Sequence, residues 1–555
     1  MADDLAVDDV REIIAVGRER GGDLLTAGEG VILDRIASLE GQAASLYARL
    51  SGRRPSVFEL QSLTCPGVTS VAEAASELMA LELADSLVPW ERRAAALPMS
   101  ALKESLRGLG LRVGGRRAEL VERLQGHTHW RPGGWIRIRH KALIHRLATW
   151  YFLRAYPDRS TLVVERLGHI RWPDYAVSST SGLFQDRRSL LAWEALRRPG
   201  ITVDDALTGL RTGAYRAPGR LNLGRSLGKA VIEVAHGLEK NDPAAARHLY
   251  LAVGECLELA GELAPRVART LEAESKRIEA LNYLARLQHT VTGVDRMALN
   301  RAGKRLARTL RRGWAPDAPL RTPRSRTLRL PIGARVGPRP GYRIHDLDLP
   351  VEQAICATLR GHDRQALHAE GAIWSTLFSL LFADCFFLDV PGALPVRFLS
   401  APLDLGTPAF RQARGAAIEA VLAGVRAGEA PDRIRDADDR FRGLRLSGAT
   451  WSLADAEILA TVANGIGPAG LSTILLRILQ GGRRVTRGLP DLVILPGDPI
   501  KLDDAFPTRL DGGLHLVELK GPSDTVRDEQ QVWFDRLLRT DVAVELWQVR
   551  PSDMV

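Results

Sequence analysis

The stretch Gly488-Leu489-Pro490-Asp491-Leu492-Val493-Ile494-Leu495 is followed, 27 residues after Asp491, by Glu518-Leu519-Lys520. Asp491 to Leu495 reads as a short apolar strand stopped by Pro496-Gly497. Leu514 to Lys520 reads as a second strand, stopped by Gly521-Pro522. Residues two apart in a strand share a face, so Glu518 and Lys520 project together while Val517 and Leu519 point the other way. Hairpin pairing of the two strands brings the Asp491 carboxylate alongside Glu518. Thr525 to Leu538 is an amphipathic helix, with Thr525-Val526-Arg527-Asp528 as its capping box, and Val542 to Val549 is a third strand. Strands interleaved with helices indicate an α/β domain with a mixed sheet.

Two carboxylates and an ammonium at one end of a sheet suit phosphodiester hydrolysis. Hard oxygen ligands hold Mn²⁺ or Mg²⁺, and a lysine beside them stabilises the extra negative charge on the phosphorane or orients the attacking water. The candidate metal ligands are Asp491, Glu518 and the main-chain carbonyl of Leu519, with Lys520 catalytic. A surface salt bridge is the plain alternative. Two further residues favour the site. Glu370 precedes Ile373, Trp374, Leu377, Phe378 and Leu381 at helical spacing, which places a third carboxylate on an apolar face. Gln530 lies just before Trp533 and Phe534 and can turn its amide toward the site; a flank residue without a role is an equal reading. Arg483, Arg484 and Arg487 lie just upstream of Asp491, where a DNA strand has to pass. Arg301, Lys304, Arg305, Arg308, Arg311 and Arg312 share one helical face and serve equally as a solvated surface. No Gly-rich phosphate loop with its lysine is present, which argues against a nucleotide cofactor.

At 555 residues the chain calls for two to four domains. Its 76 Lys and Arg against 66 Asp and Glu leave a net charge of +10, and its hydrophobic content is 45%. That balance excludes a disordered chain and is compatible with a polyanionic partner. Cys65, Cys256, Cys356 and Cys385 share no ligand spacing and read as free thiols. Met1-Ala2-Asp3-Asp4 has no signal-peptide character, and the most apolar run, Ala372 to Leu388, is shorter than the ~20 residues of a membrane span. The expected location is the cytoplasm or nucleoid of a bacterium, or the nucleus of a eukaryote. The first 300 residues are mostly helix-patterned, and 244–312 holds successive amphipathic helices. Trp314 to Pro340, rich in Pro and Arg, reads as a linker to the C-terminal domain.

The blocks Glu370-Gly371-Ala372-Ile373 with Thr376-Leu377-Phe378, Gly488 to Val493, and Val517 to Pro522, together with Asp524 and the Gln530-to-Trp533 spacing, resemble the VRR-NUC nucleases. More closely, the chain resembles the Fanconi-associated nuclease family in its bacterial-type form. Leu102, Leu106, Leu109-Gly110-Leu111, Gly114 to Arg117, Leu120-Val121 and Leu124 are similar to a SAP module, with Arg116 and Arg117 as candidate phosphate contacts. The resemblance implies a multidomain protein: a helical N-terminal domain over 1–95, a SAP-like module over 96–127, a helical domain over 128–243, tetratricopeptide-like hairpins and linker over 244–345, and a restriction-endonuclease-like α/β domain (PD-(D/E)xK, VRR-NUC) over 346–555. It also implies a structure-selective 5′-flap endonuclease and 5′-to-3′ exonuclease of DNA repair, including interstrand cross-link repair, dependent on Mn²⁺ or Mg²⁺. Branched DNA is the expected partner. A junction resolvase and a non-catalytic branched-DNA scaffold are the alternatives. No Cys/His zinc finger is expected at the start of the sequence.

Overall fold

The computed structural model describes residues 4–552 apart from 54, 126, 128–133, 153–158, 178–185, 197–201, most of 203–220, 316–317, 338, 369–370, 482–484 and 502–508. Two compact units are distinguished: 1–169 with 181–187, and 170–180 with 188–555.

In the first unit, helices such as Leu5–Gly21, Gly41–Gly52 and Lys141–Phe152 accompany a small antiparallel sheet in which Trp135–Ile138 lies between Val57–Glu59 and Ala84–Asp85. The sheet is an addition to the mostly helical expectation. Its strands are two to four residues long, too short to leave an alternating pattern. The SAP-like stretch falls between two of these paired strands. Leu102, Leu106, Leu120 and Leu124 close a core of their own with Ala94, Leu97 and Trp135.

The second unit begins with helices including Leu221–Leu238, Pro243–Cys256, Ala260–Ala273, Arg277–Leu287 and Gly293–Thr309, as the periodicity of 244–312 requires. The segment after these helices enters a sheet and is not a linker. The elements from there on are β1 (Arg324–Val336), β2 (Arg339–Ile344), β3 (Leu347–Leu349), α1 (Val351–Arg360), β4 (Ala366–His368), α2 (Ala372–Leu381), α3 (Ala456–Gly481), β5 (Leu492–Ile494), β6 (His515–Lys520), α4 (Asp528–Leu538) and β7 (Val544–Ser552). The seven strands run in the order β3-β2-β1-β7-β6-β5-β4, with β6–β7 and β7–β1 parallel and the rest antiparallel. The sheet therefore reaches back to Arg324, ahead of the expected boundary at 346. The prolines exclude a helix there, as expected, but Leu328 and Leu330 alternate with exposed residues and bury one face of a strand.

Val517, Leu519, Trp547 and Val549 pack on one side of the sheet against Ala354, Ile355 and Leu359 of α1. Leu516, Val493 and Val544 face the other side, where α2, α3 and α4 supply Trp374, Phe378, Ile474, Trp533 and Phe534. Helix α3 is long and apolar enough to cross a membrane, more so than the run at 372–388. Gly467, at φ 74°, and Pro468 break it, and Leu459, Val462, Ile474 and Ile478 bury it in this core. The β5–β6 connection is held by Arg364, 1% exposed, whose guanidinium donates to the carbonyls of Gly497, Asp498, Asp511 and Gly513 at 2.9–3.0 Å.

Candidate active site

Register brings the candidate residues together. In the antiparallel β5–β6 pair, Val517 lies opposite Leu492 and Leu516 opposite Val493, so the next step outward sets Glu518 against Asp491. Asp491 sits just ahead of β5 and accepts the Leu519 N–H at 2.9 Å through Oδ2. Lys520 Nζ lies 2.9 Å from Glu518 Oε1, and Glu518 is 1% exposed.

Helix α4 closes the site from one side. It begins at Asp528, two residues later than a Thr525 cap implies, because Gln530 does the capping. Gln530 Oε1 accepts the Arg527 N–H at 2.9 Å, while its Nε2 donates to Glu518 Oε1. One side chain thus starts the helix and holds the carboxylate, and Gln530 is buried in doing so. The preceding loop is pinned by the Trp533 indole N–H, which donates to the Val485 carbonyl at 2.7 Å. Gly488, at φ 90°, lets that loop approach the α4 backbone; a Cβ there would stand 2.7 Å from the Glu529 carbonyl carbon.

Burial disfavours both carboxylate charges. The Glu518 carboxyl is pushed up to about 8 by burial and then by the neighbouring Asp491 charge, with Lys520 opposing. Burial also raises Asp491, against the Leu519 N–H and Lys520. Glu518 Oε2 is buried with no hydrogen-bond partner among the described residues. Two carboxylates brought together in this way require a proton or a cation between them. The donor set of Asp491, Glu518 and the Leu519 carbonyl is all hard oxygen and fits a divalent ion of the Mg²⁺ or Mn²⁺ kind. Among the described residues, no group of three or more His, Cys, Asp or Glu stands close enough to hold a metal ion.

The third expected carboxylate, Glu370, lies outside the described residues, as do Arg483 and Arg484. Helix α2 starts at Ala372, behind Gly371 at φ 85°. Arg487 is exposed in the loop before Asp491. Glu352, in the first turn of α1, was not singled out by sequence reasoning; its charge also raises Asp491. Only the preceding Pro350, which caps the helix, marks that position, and the proximity to Asp491 is tertiary. In the SAP-like stretch Arg116 is exposed, but the Arg117 guanidinium donates to the carbonyls of Ala95 and Leu97. Those bonds use one nitrogen, Nη2, at the end of the helix Trp90–Ala96, and Arg117, like Arg116, is exposed. On the basic helix 293–309, Arg301 pairs with Asp528 and Arg305 with Glu272, which removes two charges from that face.

The VRR-NUC domain model matches residues 427–551, and the SAP domain model matches 95–129. The chain carries both domains. Its relatives include the Fanconi-associated nuclease 1 homologue of Pseudomonas aeruginosa, 27% identical over 97% of this chain and 94% of that protein. The homologue of Arabidopsis thaliana is 25% identical over 96% of this chain and 65% of its own length, and that of rice covers 61% of its length. The chain thus spans less than two thirds of the plant relatives. The crystal structure of paFAN1 bound to 2-nt 5′-flap DNA with a gap superposes with a TM-score of 0.81 at 24% identity, covering 99% of both chains. That likeness establishes the fold. In sequence and architecture the chain is similar to the Fanconi-associated nuclease homologues over nearly its whole length.

Proposed function

We propose that this protein is a structure-selective DNA nuclease, a 5′-flap endonuclease and 5′-to-3′ exonuclease acting in DNA repair, including interstrand cross-link repair, at the nucleoid. The observation that carries this reading is half-buried Asp491 against buried Glu518, with Lys520 beside them and Glu518 Oε2 without a donor among the described residues. Asp491, Glu518 and the Leu519 carbonyl hold Mn²⁺ or Mg²⁺, with Glu370 as a further ligand. When bound, the metal supplies Lewis acidity toward the phosphodiester. Lys520 offers its ammonium to the charge that builds on the phosphoryl oxygens. Gln530 fixes the orientation of Glu518, and the surrounding apolar core keeps bulk water away from the buried carboxylates. Arg116, Arg483, Arg484 and Arg487 serve the DNA backbone.

The test is incubation of the purified protein with end-labelled 5′-flap, 3′-flap, four-way-junction and duplex DNA, each with Mn²⁺, Mg²⁺ or EDTA. Metal-dependent incision that favours the 5′ flap supports the reading. Symmetric cleavage of the four-way junction replaces it with a resolvase. Tight flap binding without cleavage replaces it with a scaffold.

A further inference from the structure

Beyond the carboxylates, the same face of the sheet carries a line of basic and polar side chains. Lys520 on β6 is in register with Gln548 on β7, and Gln548 with Thr327 on β1. Two residues further along, Arg550 is in register with Arg329. Trp547, Val549, Leu328 and Leu330 are buried on the opposite face, so the alternation sets Gln548, Arg550, Thr327 and Arg329 on the face of Lys520. Arg329 and Arg550 are exposed, and among the described residues neither has an acidic partner. One strand further out, Arg343 has its own acid, Asp348, at 2.8 Å. The unpaired arginines are those in line with the candidate site.

Like charges directly opposite each other across a strand pair oppose sheet formation. A phosphate between two guanidinium groups reverses that repulsion, because its oxygens accept from both planar forks at once. Strand geometry puts the Arg550 Cα roughly 8 Å, and the Arg329 Cα roughly 12 Å, from that of Lys520. At those separations both guanidinium groups can reach a DNA backbone that runs along this face beside Lys520. We propose that Arg329 and Arg550 form a phosphate clamp, flanked by Thr327 and Gln548, that holds the DNA backbone adjacent to the bond to be cut. This rests on the nuclease reading above and adds to it the path of the strand across the sheet.

The experiment compares the wild type with Arg329→Gln/Arg550→Gln and Arg329→Lys/Arg550→Lys on a labelled 5′ flap. Binding is measured in EDTA over a salt series, and incision with Mn²⁺ at subsaturating and saturating DNA. Loss of two phosphate contacts lowers the slope of log affinity against log salt by about two. The Gln pair loses incision at subsaturating DNA and keeps its rate at saturation, and the Lys pair recovers most of the slope. Melting without DNA is unchanged or higher in the Gln pair, since a repulsion is removed. An unchanged slope in the Gln pair, beside a wild type that incises the flap, overturns the clamp alone. A lowered melting temperature without recovery by lysine also overturns it. A wild type that neither binds nor incises the flap overturns both the clamp and the nuclease reading.

Discussion

Gln530→Ala separates positioning from chemistry. The side chain makes two hydrogen bonds in opposite senses, one closing the N-terminus of α4 and one reaching Glu518 Oε1. Losing the cap costs about 1 kcal/mol, within a range of roughly 0.5–2. Losing a donor to a buried carboxyl costs about 1.5–3 kcal/mol where the acceptor is charged. Much of the second contribution appears as misplacement of Glu518, since Lys520 alone then holds Oε1. Removing a residue that orients a metal ligand typically costs about 10–100-fold in metal affinity or activity. The assay is the single-turnover rate of 5′-flap incision across a Mn²⁺ titration. The expected result is a higher Mn²⁺ requirement, with flap affinity in EDTA unchanged. Gln530→Glu adds another carboxylate beside Glu518 and does not restore the wild-type profile. A Gln530→Ala variant with the wild-type Mn²⁺ profile and rate refutes the claim that this amide positions Glu518.

Glu518→Gln is expected to stabilise the metal-free fold and, when Mn²⁺ is supplied, to abolish incision. The folded carboxyl is raised to about 8 by burial and by Asp491, so the folded state holds the proton more tightly than the unfolded state. The associated stability is full below the unfolded value near 4.5 and is lost as pH rises toward about 8. The melting-temperature gain of Glu518→Gln should therefore grow between those limits, and a gain that shrinks with rising pH contradicts the assignment. Arg364→Met leaves four loop carbonyls without their donor and should cost at least about 3 kcal/mol by denaturant unfolding of the C-terminal unit; a change below about 1 kcal/mol counts against it. Arg116→Gln should flatten the salt dependence of DNA binding by about one unit of slope. Arg117→Gln should instead destabilise the SAP module, which thermal unfolding measured alongside binding tells apart.

Short-range pattern carried much of this fold. The strand at Leu492–Ile494, the strand at His515–Lys520 and the shared face of Glu518 and Lys520 come from a period of two and from Gly-Pro stops. The SAP-like core comes from leucines at helical spacing on either side of Gly110, whose φ is 68°. The features that stayed hidden are tertiary. Pro331 and its neighbours look like a linker until β7 supplies a parallel partner from more than 200 residues away. The start of α2 is set by Gly371, left-handed against a Thr486 carbonyl 3.0 Å from where a Cβ would stand. Gln530 was legible as a candidate, but its double use as cap and carboxylate partner depends on how α4 docks over β6. Nothing local marks Glu352, Arg364 or the register of Arg329 with Arg550.

Asp491 and Glu518 as a metal-dependent phosphodiester-cleaving site is the central claim. Its most direct test is 5′-flap incision by wild-type protein and by Asp491→Ala, with Mn²⁺ and with EDTA, beside flap binding measured in EDTA. The expected result is Mn²⁺-dependent incision by the wild type and background-level incision by Asp491→Ala at undiminished flap affinity. Wild-type incision by Asp491→Ala, or undiminished wild-type incision in EDTA, contradicts it.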